Sequence, residues 1–264
     1  MEAARGTNEH QAISCDSSQK ENGPGAGGHR YTMKAFLLAA GRGTRLRPLT
    51  DTIPKCLVPI NGKPLLHYWL ALCAKYGISD VLINLHHFPE QVREYVEKND
   101  FGLRVSLTRE DTLLGSGGTV KANSDYVRDE ECFLILYADN LTNVNLKTLL
   151  DFHRRKKSLF TMGLFQTDNP GACGIAAMDQ EGSITSFVEK PTHPQSNLAN
   201  AGIYAATPAV LQYFPDQSFI DLGFDVLPRL VGKMHGYLID EYLLDVGTYE
   251  NYQRAQSDVQ SLEF

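Results

Sequence analysis

From Lys34 onward, apolar runs of strand length alternate with stretches whose apolar residues recur at helix spacing. Lys34–Ala40, Val81–Leu85, Arg104–Leu107 and Cys132–Ala138 read as strands buried on both faces. Between them, Pro64–Tyr76, Pro89–Asn99, Ser116–Val127 and Leu146–Lys157 carry the 3.6-residue period of helices. Alternation of this kind predicts an α/β fold on a parallel sheet with right-handed crossovers. The second half is richer in strands, at Leu159–Thr167, Ile175–Met178, Ile184–Glu189, Ala201–Ala206 and Tyr237–Ile239. Helices are expected there at Ala209–Tyr213, Phe224–Val231 and Thr248–Val259. Antiparallel strands should therefore extend the parallel part into a mixed sheet.

Residues 1–32 hold only Met1, Ile13 and Tyr31 as large apolar groups, too few to offset the entropy of ordering. A disordered tail is expected there, with one domain over residues 33–264. The net charge of −6 and a pI near 5.7 argue against a nucleic-acid or anionic-membrane partner. No run approaches the roughly 20 apolar residues of a membrane span, and the N-terminus lacks the apolar segment of a secretory signal. Five scattered cysteines show no metal-site spacing and suit reduced thiols, so a cytoplasmic protein is expected. The Asn140-Leu141-Thr142 sequon then reads as a chance match.

Directly after the first strand comes Gly41-Arg42-Gly43-Thr44-Arg45-Leu46-Arg47, followed by Pro54-Lys55-Cys56-Leu57-Val58-Pro59-Ile60. Glycines after a buried strand let backbone N–H groups approach phosphate oxygens. The loop lacks the third glycine of a dinucleotide-binding fingerprint and the Gly-Lys-Ser/Thr ending of a P-loop. Its cations, Arg42, Arg45, Arg47 and Lys55, suit phosphate instead. Downstream, Phe133–Tyr137 leads into Ala138-Asp139, a carboxylate at the strand end where open α/β sheets collect ligands. A second carboxylate, Asp245, follows Leu243-Leu244.

The glycine loop, the Pro-Lys-x-Leu-x-Pro-Ile segment and four later motifs together resemble the sugar nucleotidylyltransferase family, in the family's order from Met33 to about Gln256. That resemblance implies a Rossmann-like three-layer sandwich of the nucleotide-diphospho-sugar transferase type, with a mixed, mostly parallel central sheet. It implies that Ala40, Gly41, Gly43 and Thr44 hold a triphosphate while Arg45 and Lys55 neutralise the leaving pyrophosphate. Glu110 occupies the base-reading position of the segment Glu110–Gly118, with Gly115 among the glycines that admit the ring. A carboxylate only accepts hydrogen bonds, and guanine offers N1–H and N2–H₂ side by side, so guanine is favoured there over thymine or uracil. Asp139 and Asp245 match the family's ligands for Mg²⁺, an ion that prefers a few carboxylates with water and phosphate oxygens. Ala138 stands where many members have glycine. On the sugar side, Gly174 and Asn200 would approach the ring, Glu189 would accept from its hydroxyls and Lys190 would grip its phosphate.

The implied reaction joins a nucleoside triphosphate to a sugar 1-phosphate and releases pyrophosphate, with Arg45, Lys55, Asp139 and Lys190 as its catalytic groups. GTP with mannose 1-phosphate or a related sugar phosphate is the favoured pair. Thymidylyl, uridylyl or cytidylyl transfer to a glucose phosphate stays open, as do a homo-oligomer and a non-catalytic nucleotide-sugar-binding regulator. A glycosyltransferase of similar fold would need an Asp-x-Asp motif that Tyr137-Ala138-Asp139-Asn140 does not supply. His86 and His87, adjacent on a strand, should point to opposite faces and share no metal.

Overall fold

A computed structural model describes residues 33–264; the expectation for residues 1–32 lies outside the described residues. The chain order is β1 (Met33–Leu38), β2 (Pro59–Ile60), β3 (Lys63–Pro64), α1 (Leu65–Lys75), β4 (Ile78–Leu85), α2 (Pro89–Lys98) and β5 (Arg104–Arg109). There follow α3 (Ser116–Ala122), β6 (Phe133–Tyr137), β7 (Asn140–Thr142), α4 (Leu146–Lys156), β8 (Phe160–Gln166), β9 (Gly174–Met178) and β10 (Ile184–Glu189). The last elements are β11 (Leu198–Ala206), α5 (Leu227–Leu230), β12 (Met234–Leu238), β13 (Leu243–Asp245) and α6 (Tyr249–Asp258).

Nine strands form one mixed sheet. Strands β5, β4, β1 and β6 run parallel side by side. Antiparallel β11 then joins β6, and β8 and β9 both pair antiparallel with β11. Strand period explains the layers. Ala35, Leu37, Val81, Ile83, Leu134 and Leu136 meet Leu66, Trp69, Val92 and Leu149 of α1, α2 and α4 on one face. Phe36, Leu82, Phe133 and Ile135 meet Val120, Leu227 and Leu230 of α3 and α5 on the other. Both faces of the central strands are thereby covered, as near-continuous apolar runs require.

Three details depart from the sequence expectations. Arg104–Leu107 is not buried on both faces: β5 is the sheet edge, and its alternating Arg104, Ser106 and Thr108 leave it half-exposed. The helix expected over Ser116–Val127 breaks after Ala122, where the Asn123 Nδ2 donates to Thr119 O at 2.9 Å, and resumes as a 3₁₀ turn at Ser124–Val127. The helix expected at Phe224–Val231 opens as a π turn over Leu222–Val226, fixed by the Asp221 carboxylate accepting from Phe224 N. The Asn140 sequon is buried in β7, where Nδ2 donates to Ala201 O at 2.9 Å, so it offers no attachment site.

Two small pairings were not foreseen. β2 and β3 make a hairpin, and β13 lies antiparallel to β7 with Asp245 opposite Asn140. A third apolar cluster of Ile60, Leu65, Tyr68, Leu141, Leu244, Val246 and Ala255 backs both pairs with α1 and α6. Trp69 reaches from α1 to donate its Nε1–H to Asn140 O at 2.8 Å. The C-terminal part of the chain is thus fastened beside the end of β6.

The segment before α5 closes over the start of α3. Ile220 N donates to Leu114 O at 2.8 Å, and Ile220 O accepts from Gly117 N at 2.8 Å and Gly118 N at 3.0 Å. A Cβ on Gly115 would stand 2.4 Å from Ile220 O, at a backbone φ of +80°. Gly115→Ala is therefore expected to cost about 1–3 kcal/mol in backbone strain alone, before any shift of Ile220. Gly171→Ala, where an added Cβ meets nothing closer than 3.8 Å, should stay within about 0.5 kcal/mol of the parent. Denaturant midpoints of the two variants check the contrast.

Candidate active site

The cleft at the carboxyl ends of β1, β4 and β6 has two chambers. The first, about 270 Å³, runs from Leu38–Gly41 past Asn84, Glu110, Leu113 and Gly115 to Tyr137 and Asp139, with Phe219 at its wall. The second, about 240 Å³, is lined by Gly41–Arg45, Lys55, Asp139 and Gly247. Gly41, Lys55 and Asp139 border both. One chamber is largely apolar and the other cationic, so a ligand with a flat apolar part and an anionic tail would thread the two.

The glycine loop bends as its sequence requires. Gly43 takes φ +64°, and a Cβ there would press within 3.0 Å of Thr50 and Lys55. The Thr50 hydroxyl donates to Gly43 O at 2.7 Å, which locks the loop above Lys55. Ala40 is buried, whereas Gly41, Arg42, Thr44 and Arg45 face solvent or the chamber.

Lys55 is the pivot of the site. Its residue is only 7% exposed, and its Nζ donates to Asp139 Oδ2 at 2.8 Å and Asp245 Oδ1 at 3.4 Å. Arg45 lies 3.8 Å from the other Asp245 oxygen. Val246 N donates to Asp139 O at 2.9 Å, so the β7–β13 pairing sets the two aspartates beside each other. The Asp245 side chain is about half-exposed, yet partial desolvation by the surrounding protein and the neighbouring Asp139 charge lift its carboxyl above the usual carboxylate range, against the opposite pull of Lys55 and Arg45. The sequence-predicted Arg45, Lys55, Asp139 and Asp245 are thus brought together.

Glu110 borders the first chamber but turns its carboxylate into the protein. It is 5% exposed. Its Oε1 accepts from Asn84 Nδ2 at 2.8 Å and from the Thr119 hydroxyl, and its Oε2 accepts from Leu114 N at 3.1 Å. Of the four acceptor positions on a carboxylate, one on Oε2 is left. A side-by-side pair of base donors, the premise of the guanine argument, needs both oxygens free. The geometric reason for preferring guanine at this residue is therefore lost, although Glu110 remains on the chamber wall.

The sugar-side residues gather at one end of β9, β10 and β11. A Cβ on Gly174 would stand 2.4 Å from Glu189 Oε2, so Glu189 lies directly across Gly174. Burial, with Asp221 nearby, raises the Glu189 carboxyl against the lowering effect of Lys190. Lys190 is exposed with φ +47°, its N–H donating to Cys173 O at 3.0 Å. Asn200 spends both ends of its amide on the protein: Nδ2 donates to Tyr204 Oη at 2.7 Å and Oδ1 accepts from Gly202 N at 3.0 Å. This shapes the irregular middle of β11, where its pairing with β8 shifts register between Asn200 and Tyr204.

Cys56 borders the first chamber, yet burial pushes its thiol up to about 12, so it supplies no thiolate. His86 Nδ1 donates to Glu110 O at 2.8 Å, and His87 Nε2 faces Thr50 O at 3.4 Å. No group of three or more His, Cys, Asp or Glu side chains converges on a metal position among the described residues. No described helix is long and apolar enough to cross a membrane.

Asn84, Ser116, Tyr137, Phe219 and Asp221 also border or brace the cleft, and sequence reasoning passed over them. Asn84 sits inside an apolar run that otherwise reads as a plain buried strand, which was the available signal: a polar residue in such a run must find partners. Ser116 donates to Asp221 Oδ2 at 3.2 Å across 105 residues, a contact with no local signature.

The nucleotidyl transferase family model matches residues 34–261. A UTP–glucose-1-phosphate uridylyltransferase from Synechocystis is 31% identical over 88% of this chain, and a mannose-1-phosphate guanylyltransferase from Mycobacterium tuberculosis is 30% identical over 87%. The chain spans 64% and 65% of the length of these relatives. A Bacillus anthracis protein solved with sucrose shares the fold, with a TM-score of 0.79 at 23% identity over 88% of this chain and 97% of its own. HddC from Yersinia pseudotuberculosis does likewise, with a TM-score of 0.75 at 23% identity over 86% of this chain and 100% of its own. With the glycine loop, Lys55 and the two strand-end aspartates in one cleft, the chain belongs to the nucleotidyl transferase family.

Proposed function

We propose that this chain joins a nucleoside triphosphate to a sugar 1-phosphate, giving a nucleoside diphosphate sugar and pyrophosphate. The observation that carries this reading is the meeting of an apolar chamber and a cationic one at Lys55 and Asp139. The apolar chamber takes the nucleoside, and the loop of Gly41–Arg45 takes the β- and γ-phosphates. A phosphate oxygen of the sugar phosphate attacks the α-phosphorus as its bond to the bridging oxygen of pyrophosphate breaks. The electron pair leaves on pyrophosphate, whose charge Arg45 and Lys55 meet. No side chain needs to become a nucleophile, which suits a site whose Cys56 thiol is held protonated. Lys190 and Glu189 hold the sugar phosphate and the sugar hydroxyls at the far end. Charge placement and alignment then supply most of the rate.

Asp139 and Asp245 fit a divalent ion of the Mg²⁺ type: both carboxylates are bound to the one Lys55 ammonium, and the Asp139 charge acts on Asp245, which supplies the few hard oxygen ligands such an ion prefers. When bound, the ion would supply charge neutralisation at the reacting phosphates. Among triphosphates, GTP with mannose 1-phosphate remains our reading. It rests on the motif resemblance and on relatives named guanylyltransferases in Mycobacterium tuberculosis and Kluyveromyces lactis. The free cysteines suit the cytoplasm.

Two outcomes test this reading. Pyrophosphate release, assayed for four triphosphates against a panel of sugar 1-phosphates, should require a divalent ion. Asp139→Asn and Asp245→Asn should each lower kcat by about 10²-fold or more with the fold kept. Full activity in excess chelator would remove the two-aspartate site.

The second concerns ion binding without turnover. A ligand that binds only the folded state raises its Tm. Mg²⁺ should therefore raise the Tm of the parent, and Asp139→Asn and Asp245→Asn should each abolish or sharply reduce that rise. Differential scanning calorimetry with and without Mg²⁺ reads it; a rise of parental size in both variants would contradict the two-aspartate site.

A further inference from the structure

Two loops must converge on the nucleotide if the reading above holds, one after β1 and one after β5, and the inference that follows rests on that reading. Between them stands Asn84, near the end of β4, 4% exposed and on the face of the sheet that meets α3. Its Oδ1 accepts from Ala39 N at 2.7 Å, at the root of the glycine loop. Its Nδ2 donates to Glu110 Oε1 at 2.8 Å and to Thr119 Oγ1 at 2.9 Å. Glu110 carries the bond onward to Leu114 N at 3.1 Å, one residue before Gly115. Every polar group of the amide is in use, and the orientation is unambiguous because the carboxylate accepts only and the backbone N–H donates only.

We infer that Asn84 is a positioning residue for the triphosphate, an amide clamp that sets the separation between the phosphate loop and the nucleoside-side loop. Glu110 acts within the same clamp. Its carboxylate lies buried with no Lys or Arg bonded to it among the described residues, and three neutral donors hold it in place. A buried carboxylate spent on neutral donors beside a ligand chamber is a costly way to fill a core. What it provides is a rigid link between two backbone segments far apart in sequence. Asn84, Glu110 and Thr119 are not among the residues that line the second chamber.

The donor and acceptor pattern gives a reciprocal test. Asn84→Asp places a carboxylate oxygen against Glu110 Oε1, and Glu110→Gln puts a donor against either Asn84 Nδ2 or Leu114 N. Each single change breaks the clamp. In the double variant, the amide introduced by Glu110→Gln can donate through its nitrogen to the carboxylate introduced by Asn84→Asp. Its carbonyl oxygen still accepts from Leu114 N, so complementarity returns with the charge moved by one side chain. Each single variant should raise the triphosphate KM about tenfold or more while the sugar 1-phosphate KM stays within about twofold. The double variant should come back to within about threefold of the parent. Losses that simply multiply in the double variant would overturn the clamp, and so would single variants with an unchanged triphosphate KM.

Should a single variant fail to fold, Thr119→Val keeps side-chain volume, removes one donor to Glu110, and carries the same split between the two KM values. Calorimetric binding of the triphosphate alone separates the two ideas. A parent that binds triphosphate yet releases no pyrophosphate with any sugar phosphate refutes the proposed reaction. The coupling between positions 84 and 110 in triphosphate binding would still decide the clamp.

Discussion

The ammonium of Lys55 is the contact on which the site depends. A lysine so thoroughly covered must be paired, since an isolated buried charge is far too expensive to keep. Its partners arrive from widely separated parts of the chain, Asp139 from the end of β6 and Asp245 from the end of β13. The same side chain also lies under the glycine loop, where Gly43 packs on its Cβ. Three segments therefore share one charge centre. Removing either aspartate would leave the lysine with the other, but removing the lysine would leave two neighbouring carboxylates facing each other.

Beyond Arg45 beside Asp245, that centre is supported by packing. The cluster around Ile60, Leu141, Leu244 and Val246 backs β7 and β13, and the Trp69 indole holds the backbone just after Asp139. An acidic protein thereby presents a local cationic chamber through a handful of residues, Arg42, Arg45 and Lys55, without a basic surface. The apolar chamber next to it has the opposite logic. Its wall is set by backbone contacts between Ile220 and the Leu114–Gly118 segment, which admit only glycine at position 115. Glycines that the sequence motif ascribes to an incoming ring are also required by the protein's own Ile220.

The parallel core was legible because apolar runs of strand length, too short to span a membrane, have few places to go except the middle of a sheet. Elements with strong periodicity, such as α1, α4 and β10, fell close to their expected bounds. β5 misled because a short run beginning at Arg104 looks alike at the centre and at the edge of a sheet. The β7–β13 pair was invisible since three residues carry no period, and its register comes from the third apolar cluster. Glu110 shows the same limit at a single side chain: its place beside the chamber followed from the motif, but the direction of its carboxylate depended on Asn84 and Thr119, which local sequence does not relate to it.

By itself the sequence determined the alternating α/β framework, the glycine loop with its cations after the first strand, and the two strand-end aspartates. These are local matters of periodicity, of backbone freedom at glycine and of charge placed after apolar runs. The family resemblance paired Asp139 with Asp245; only the tertiary structure decided that Lys55 is shared between them and that Asn84 links two loops through Glu110. Those arrangements arise from pairings across 26 to 190 residues, and their geometry is fixed by burial and by the need of each buried polar group for a partner.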